Sequence, residues 1–406
     1  MRKIIYLILS LIMILPVLVA CNGNQTPPTT SGAPDITSEP DTTAEPSETS
    51  APETTEPEST TEPEATTPAD TTPPEEQYVR TTYKLLENLD KFKVMGRSTK
   101  TDNGVTMDWS ASGIEFTADF SGYLEARIET SRDCNIAVYI DGVLVKEKLS
   151  INTLVKQYTL ATDVAPGLHT VRIIKLNAAE AGAPILTSIN SVSFIGKLGD
   201  RPADNKYLVE FVGDSITCGL GSKSKDDGNT YANLTYAYLL CQAKGYDYSF
   251  VAVSGIGSVH SVDRHGDLLM GDIYPLTNYY RDASAEYVAE RQADLVVIAL
   301  NTNDNGRISD SEKAIYKANA LALIASVKKI HGDDVKIVWY TGMMGTGKCD
   351  TWIKEIFTEL GGKSAGYYCL GGTKDTAGAS SHPSAAGHIN NADILGKYID
   401  GYKILE

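Results

Sequence analysis

Near residue 200 the spacing of apolar residues changes, and no single layer of secondary structure accommodates both patterns. From Tyr78 to Lys197 the segments "VTMDWS", "GIEFTADF", "YLEARIET", "NIAVYID", "KQYTLA" and "HTVRIIKL" alternate, or nearly alternate, apolar and polar residues. A period of two puts every second side chain on one face of a strand. Gly, Asp, Asn and Pro interrupt these segments at short intervals, and Asp141-Gly142 in "IDGVLV" predicts a hairpin turn. Many short antiparallel strands with no helical window predict a β-sandwich over residues 78–200.

From Tyr207 the pattern is different. "YLVEFVG" is a nearly continuous apolar strand, as expected when helices cover both faces of a sheet. Helix "YANLTYAYLLCQAKG", strand "YSFVAVSG", helix "ASAEYVAERQ", strand "ADLVVIAL", helix "SEKAIYKANALALIASVKKI", strand "VKIVWYT" and helix "TWIKEIFTEL" follow. A short strand near "GYYCL" and a last helix from Ala385 to Lys397 complete the series. Alternating strands and helices predict a three-layer α/β domain with a parallel sheet over residues 201–406. Active residues of such domains collect at the C-terminal ends of the strands.

Two segments precede these domains. Residues 1–21 read as an export signal, with Arg2 and Lys3 ahead of an apolar run that ends at Cys21. The ending "LVAC" resembles a bacterial lipobox, which makes Cys21 the lipidation site and the mature chain an extracellular, cell-surface lipoprotein held by acyl chains alone. Residues 22–77 are dominated by Thr, Pro, Glu, Ser and Ala, a composition unable to offset the entropy of ordering, and read as a disordered linker. From Gln25 to Glu76 this tract has acidic residues and no Lys or Arg, so it accounts for most of the net charge of −16. The folded part is only mildly acidic, which gives nucleic acid no purchase. The five cysteines after Cys21 are odd in number and form no CxxC pattern, so they read as small buried residues, with Cys349 and Cys369 the pair that could join.

Three strand ends carry unusual polar sequences: "GDSITCGLGS", "VSGIGS" and "NTNDNG"; a fourth, "SSHPSAAGH", precedes the last helix. Parallel neighbouring strands would bring all four together. A serine hydroxyl needs a base to take its proton, and His382 is the best candidate to serve Ser215. An acyl-transfer site also needs donors where an oxyanion develops. The backbone N–H groups of Ser215 and Gly255 and the side-chain amide of Asn303 answer that need, and a glycine at 255 is expected to leave substrate room beside the main chain. Asp214 and Asp304 read as structural acceptors for turn amides. Taken singly, each residue has an ordinary alternative: Ser215 a helix cap, Asn303-Asp304 an Asx turn, Ser384 the cap of the last helix, His388 a packing or surface residue.

In this order "GDS", a glycine after the second strand, "NTND" and "HP" resemble the four blocks of the SGNH, or GDSL-type, hydrolases. The preceding domain, with "YIDG" and "GLHTVRIIKLNAAEAG", resembles the N-terminal domain of carbohydrate esterase family 2. The resemblance spans roughly Tyr78 to Glu406 and implies a jelly-roll-like form for the sandwich. It implies an esterase that removes acetyl groups from plant polysaccharide, with Ser215 as nucleophile, His382 as base and Ser215, Gly255 and Asn303 as oxyanion hole. Two positions depart from the pattern. Asn301 stands where the third block has glycine, and a local change in backbone packing is expected there. Ala379 stands where the wider superfamily has an Asp three residues before the histidine. Some members of the family work with a Ser–His dyad whose imidazole is held by a main-chain carbonyl, and a dyad is expected here; Asp375 is the alternative partner.

The long segment "GIGSVHSVDRHGDLLMGDIYPLTNYY" is a candidate substrate-binding loop through Tyr274, Tyr279 and Tyr280, with packing against the sandwich as the alternative. His260 and His265 have no third ligand at sensible spacing, so no metal is expected, and the chemistry calls for no cofactor. The expected partners are an acetylated polysaccharide or oligosaccharide and, through the lipid only, a membrane; the protein is expected to be a monomer. Two other functions compete: a non-catalytic carbohydrate-binding surface lipoprotein, and an SGNH esterase or lipase for small or lipid esters.

Overall fold

In this computed structural model the described residues are 79–154, 156–178, 185–262, 265–279 and 285–406. The expected signal, Cys21, the linker and Tyr280 lie outside them. Among the described residues no helix is long and apolar enough to cross a membrane.

The first domain is an antiparallel sheet of β1 (Arg80–Lys84), β2 (Lys93–Met95), β3 (Thr99–Thr101), β4 (Gly104–Met107), β5 (Gly113–Thr130), β6 (Cys134–Ile140), β7 (Val143–Ile151), β8 (Gln157–Lys175) and β9 (Thr187–Leu198). Its main path runs β3-β4-β9-β5-β8-β6-β7, with β1 on β9 and β2 on β5. The expected β6–β7 hairpin is present: Asp141 (φ 52°) and Gly142 (φ 78°) are both left-handed, as a type I′ turn requires. Register shifts between Phe120 and Glu125 bend β5 along its pairing with β8. The sheet thereby encloses one core, which includes Phe92, Phe116, Phe120, Leu124, Ile173, Val192 and Phe194.

The second domain is a five-stranded parallel sheet ordered β11-β10-β12-β13-β14. Its strands are β10 (Leu208–Gly213), β11 (Asp247–Ala252), β12 (Leu295–Ala299), β13 (Lys336–Thr341) and β14 (Tyr367–Gly371). Its helices are α1 (Ser215–Cys218), α2 (Tyr236–Lys244), α3 (Met270–Ile273), α4 (Thr302–Asn305), α5 (Lys313–His331), α6 (Lys348–Glu359) and α7 (Ala385–Gly401). Alternation along the strands divides the domain into three layers. Phe211, Val297 and Val338 face α2 and α7 through Tyr236, Leu240 and Leu395. Val212, Ile298 and Trp339 face α5 and α6 through Leu323, Ile324, Ile353 and Phe357. The strand order reverses at β10, so the crevice at the carboxyl ends of the strands opens beside it.

One expected helix is absent. Residues 285–292 of "ASAEYVAERQ" are irregular: Glu286 bridges Leu276, Tyr287 N–H donates to the Pro275 carbonyl at 2.7 Å, and Val288 is 81 % exposed. Tyr287 instead lays its ring on the Arg97 guanidinium, 4.1 Å from centroid to charge. Tertiary contacts here outweigh the local helical spacing.

Buried polar contacts join the two domains. Arg97, between β2 and β3, is fully buried and forks onto Glu210 of β10, with Nη2–Oε1 at 3.0 Å and Nε–Oε2 at 3.3 Å. Glu210 also accepts from Tyr274 OH (2.8 Å), Ser249 Oγ (3.0 Å) and His331 Nε2 (3.0 Å). The Arg97 charge and these donors hold the Glu210 carboxyl far below the usual carboxylate range, overriding the opposing effect of burial. Trp109 Nε1 donates to the Thr277 carbonyl at 2.7 Å, and Lys93 Nζ pairs with Asp247 at 2.6 Å.

Candidate active site

Chain direction and capping place Ser215. Strand β10 ends at Gly213, and Asp214 caps the one-turn helix α1 by accepting from Ile216 N–H at 3.0 Å. Ser215 is the first residue of that turn, and its backbone N–H therefore has no intrahelical acceptor. Gly219, left-handed at φ 85°, ends the helix and sends the chain back under the site. Burial pushes the Asp214 carboxyl up to about 7, with the neighbouring Asp304 charge adding to the rise.

His382 arrives from β14. Ser380 (φ 51°) and Ser381 (φ 59°) are both left-handed, an uncommon run for residues with side chains. The double turn brings His382 Nδ1 to 3.0 Å from the Ser380 carbonyl and His382 Nε2 to 2.7 Å from Ser215 Oγ. A carbonyl can only accept, so Nδ1 carries the proton and Nε2 faces the serine with its lone pair. Burial pulls the His382 pKa below the usual histidine value, against the raising effect of the carbonyls around it. The loop is pinned by close approach: a Cβ on Gly221 (φ 74°) would sit 2.7 Å from both Ala379 N and Ala379 O, so only glycine fits there.

Asp375 is occupied elsewhere. It accepts from Ser384 N–H (3.1 Å), Ser384 Oγ (2.5 Å) and Ala377 N–H (2.8 Å), bracing the start of α7. Ser384 in turn caps α7 by accepting from Gly387 N–H at 3.2 Å. His388 is buried, accepts from Tyr236 N–H at 3.1 Å and stacks on the Tyr236 ring; burial pulls its pKa down to about 4.

Asn303 bridges the turn that carries Ser215 and the turn that carries Gly255. Asn303 Nδ2 donates to the Ile256 carbonyl at 2.7 Å and reaches Asp214 Oδ2 at 3.4 Å, a weak contact, so the amide lies between the two turns. Asp304 accepts from the N–H groups of Ser258 (3.0 Å), Val259 (2.7 Å) and His260 (2.7 Å), fixing the loop after Gly255. The expectation that glycine at 255 leaves room for substrate is corrected. Gly255 has φ 86°, and a Cβ there would meet Val262 Cγ2 at 2.4 Å, so protein already fills that side.

The departure at Asn301 also has a backbone cause. Asn301 is left-handed at φ 89°, which explains why glycine suits the position and why asparagine replaces it. Its buried side chain donates to Asp350 Oδ1 at 3.1 Å and accepts from Tyr316 OH at 2.7 Å.

Of the two readings of Tyr274 and Tyr279, the structure supports packing and corrects the substrate-binding one. Both are fully buried: Tyr274 bonds Glu210, and Tyr279 packs edge-on against Trp109 of the sandwich domain at 6.2 Å. His260 bonds Glu312 Oε1 at 2.8 Å, and His265 lies between Tyr279 OH and the Ser254 carbonyl. Cys134, Cys218, Cys241, Cys349 and Cys369 are free thiols. The sandwich braces the site from behind, where Ala178 packs with Cys218 of α1 and Ala252 of β11. Sequence reasoning missed the left-handed pair at 380–381 and the buried role of His265. Asn301 at a glycine position was the one available signal of unusual backbone.

A capped Ser turn after the first parallel strand, an imidazole ahead of the last helix, and a glycine turn and an asparagine between them define the class, a GDSL-type hydrolase domain. Residues 209–393 match the family of GDSL-like lipases/acylhydrolases, and residues 94–193 match the carbohydrate esterase 2 N-terminal domain. The two matches lie in tandem, one on each of the two domains described above. It is 26 % identical over 308 residues to the cellulase/esterase CelE of Acetivibrio thermocellus, covering 72 % of this chain and 37 % of that protein. It is 24 % identical over 247 residues to the acetylxylan esterase / glucomannan deacetylase of Cellvibrio japonicus, covering 55 % of this chain and 66 % of that one. The matched segment thus spans less than two thirds of either relative. A family two carbohydrate esterase from Clostridium thermocellum, solved in complex with cellohexaose, superposes with a TM-score of 0.67 at 24 % identity, over 77 % of this chain and all of that one.

Proposed function

We propose that this protein is a serine esterase that removes O-acetyl groups from plant cell-wall polysaccharide, xylan or glucomannan, through a Ser215–His382 dyad. The carrying observation is the 2.7 Å contact between Ser215 Oγ and His382 Nε2, with Nδ1 held by a main-chain carbonyl. Ser215 Oγ attacks the acetyl carbonyl as its proton passes to His382 Nε2. The carbonyl oxygen, now an oxyanion, is met by the N–H groups of Ser215 and Gly255 and by the Asn303 amide, whose weak contact to Asp214 gives way. The ester C–O bond breaks, and the sugar oxygen leaves with the proton from His382. A water molecule then gives a proton to His382 and attacks the acetyl-serine carbonyl; the C–Oγ bond breaks, Ser215 Oγ takes the proton back from His382, and acetic acid leaves and ionises to acetate.

The polysaccharide substrate is supported by the relative described as an acetylxylan esterase / glucomannan deacetylase and by the family two structure holding cellohexaose. Export and a lipid on Cys21 would place the enzyme on the outer cell surface, with residues 22–77 as a tether to insoluble substrate.

Acetate release from acetylated xylan and glucomannan, with Ser215→Ala as control, tests this reading. Wild type should release acetate and Ser215→Ala should be slower by at least about 10⁴-fold. Turnover that rises with acyl length, or glycan binding without acetate release, would replace it. Loss of palmitate labelling in Cys21→Ala tests the anchor.

A further inference from the structure

Val253 to Ile256 form a tight turn closed by Ile256 N–H donating to the Val253 carbonyl at 3.2 Å. Gly255 takes the third position at φ 86°, as a type II turn demands. The closing bond uses neither group of the central peptide, so the Ser254 carbonyl and the Gly255 N–H must be held by something else. In a planar trans peptide these two point in opposite directions. A half-rotation of that unit converts type II geometry to type I and would reverse the direction of the Gly255 N–H.

His265 holds that unit. Its ring is buried, with Nε2 at 2.7 Å from the Ser254 carbonyl and Nδ1 at 3.1 Å from Tyr279 OH. The carbonyl can only accept, so Nε2 donates to it, while Nδ1 is paired with the Tyr279 hydroxyl. Tyr279 is clamped in turn by the sandwich, through Trp109 against its ring and Trp109 Nε1 on the Thr277 carbonyl. A donor on the Ser254 carbonyl also polarises its peptide and strengthens the N–H on the other side.

We infer that His265 is a positioning residue for the oxyanion site: it locks the Ser254–Gly255 peptide so that Gly255 N–H faces the reacting carbonyl, and the sandwich domain holds its ring in place through Tyr279. This rests on the esterase reading above. It gives the buried sandwich contacts a function, because they prepare an N–H group in the other domain.

The test compares wild type, His265→Phe, His265→Gln and Tyr279→Phe in the full chain. Acetyl-ester kinetics and the ¹⁵N shift of the Gly255 amide are measured together; that shift senses hydrogen bonding at the preceding carbonyl and needs no turnover. His265→Phe should lower kcat about tenfold or more with KM nearly unchanged, short of the loss from deleting an oxyanion donor outright. His265→Gln, whose amide can still donate, should recover much of it, and Tyr279→Phe should fall between. The Gly255 shift should move in the same order. If His265→Phe fails to fold, the comparison of His265→Gln and Tyr279→Phe with wild type decides. Wild-type kcat and an unmoved Gly255 shift in the folded variants would overturn the inference. An inactive wild type whose Gly255 shift still follows His265 would instead overturn the esterase reading and leave the peptide lock standing.

Discussion

His382 and Ser380 are two residues apart, and the imidazole of one is oriented by the main chain of the other: Nδ1 lies 3.0 Å from the Ser380 carbonyl. In many serine hydrolases a carboxylate orients the imidazole. Here two consecutive left-handed residues curl the chain so that a neutral acceptor takes that place. A neutral acceptor fixes the tautomer but stabilises the imidazolium less than a carboxylate would.

That substitution sets the pH dependence. Burial lowers the His382 pKa and no carboxylate raises it. The base must be neutral, so activity is lost as pH falls through the His382 pKa and is flat above it. The acid limb of kcat/KM should have its midpoint below 6.5, the ordinary histidine value. A midpoint above 7 would mean that a carboxylate supports His382 in solution.

The backbone origin of the support can be tested at its source. Ser380→Gly keeps the carbonyl and accepts φ 51° without strain, so activity should stay within about threefold of wild type. Ser380→Pro forces φ near −65° and should remove most activity. Ala379→Asp, which restores the residue type of the wider superfamily, should not help. Ala379 is 4 % exposed against Gly221, and a carboxylate there should cost about 2 kcal/mol of stability, read from denaturant midpoints.

In the proposed mechanism Asn303 supplies the one side-chain donor to the oxyanion. Asn303→Ala should reduce kcat by about 10²–10³ with a small effect on KM. Asn303→Asp should fall at least as far, because a negative charge would then face the developing oxyanion. Kinetics on a soluble acetyl ester distinguish these outcomes from a change in polysaccharide binding.

Arg97 is the buried charge that joins the domains. Arg97→Ala leaves Glu210 without its cation and should destabilise the protein by about 3–5 kcal/mol in urea unfolding. The sign in pH follows from the depressed Glu210 pKa. The pair's contribution is complete above the unfolded value near 4.5 and is lost as pH falls below it toward the folded pKa. Wild type should therefore lose stability faster than Arg97→Ala on acidification below pH 4.5. Parallel curves would mean that the charge of Glu210 does not matter to folding.

The order of elements was legible because burial leaves a period in the sequence. Strands covered on both faces read as apolar runs, as in "LVEFVG" and "LVVIAL", and the half-covered strands of the first domain alternate. Asp141-Gly142 identified its hairpin because few residue pairs tolerate two left-handed positions in succession. The helix expected from "ASAEYVAERQ" is absent over 285–292, where a distant cation, Arg97, claims Tyr287. Tyr274 and Tyr279 stayed undecided between substrate binding and packing because polar-tipped aromatic rings look alike in sequence whether the tip meets a sugar or a buried Glu210 or His265.

Sequence by itself determined the two domain types and the residues able to react, because hydrophobic period and side-chain chemistry are local properties. The tertiary structure decided how those residues are aimed. Ser380 as the partner of His382, Asp375 as a brace for α7, and His265 behind Gly255 all depend on carbonyl directions and close approaches between segments far apart in the chain. Those directions follow from backbone torsions that side-chain identity does not specify, at Ser380 and Ser381 least of all.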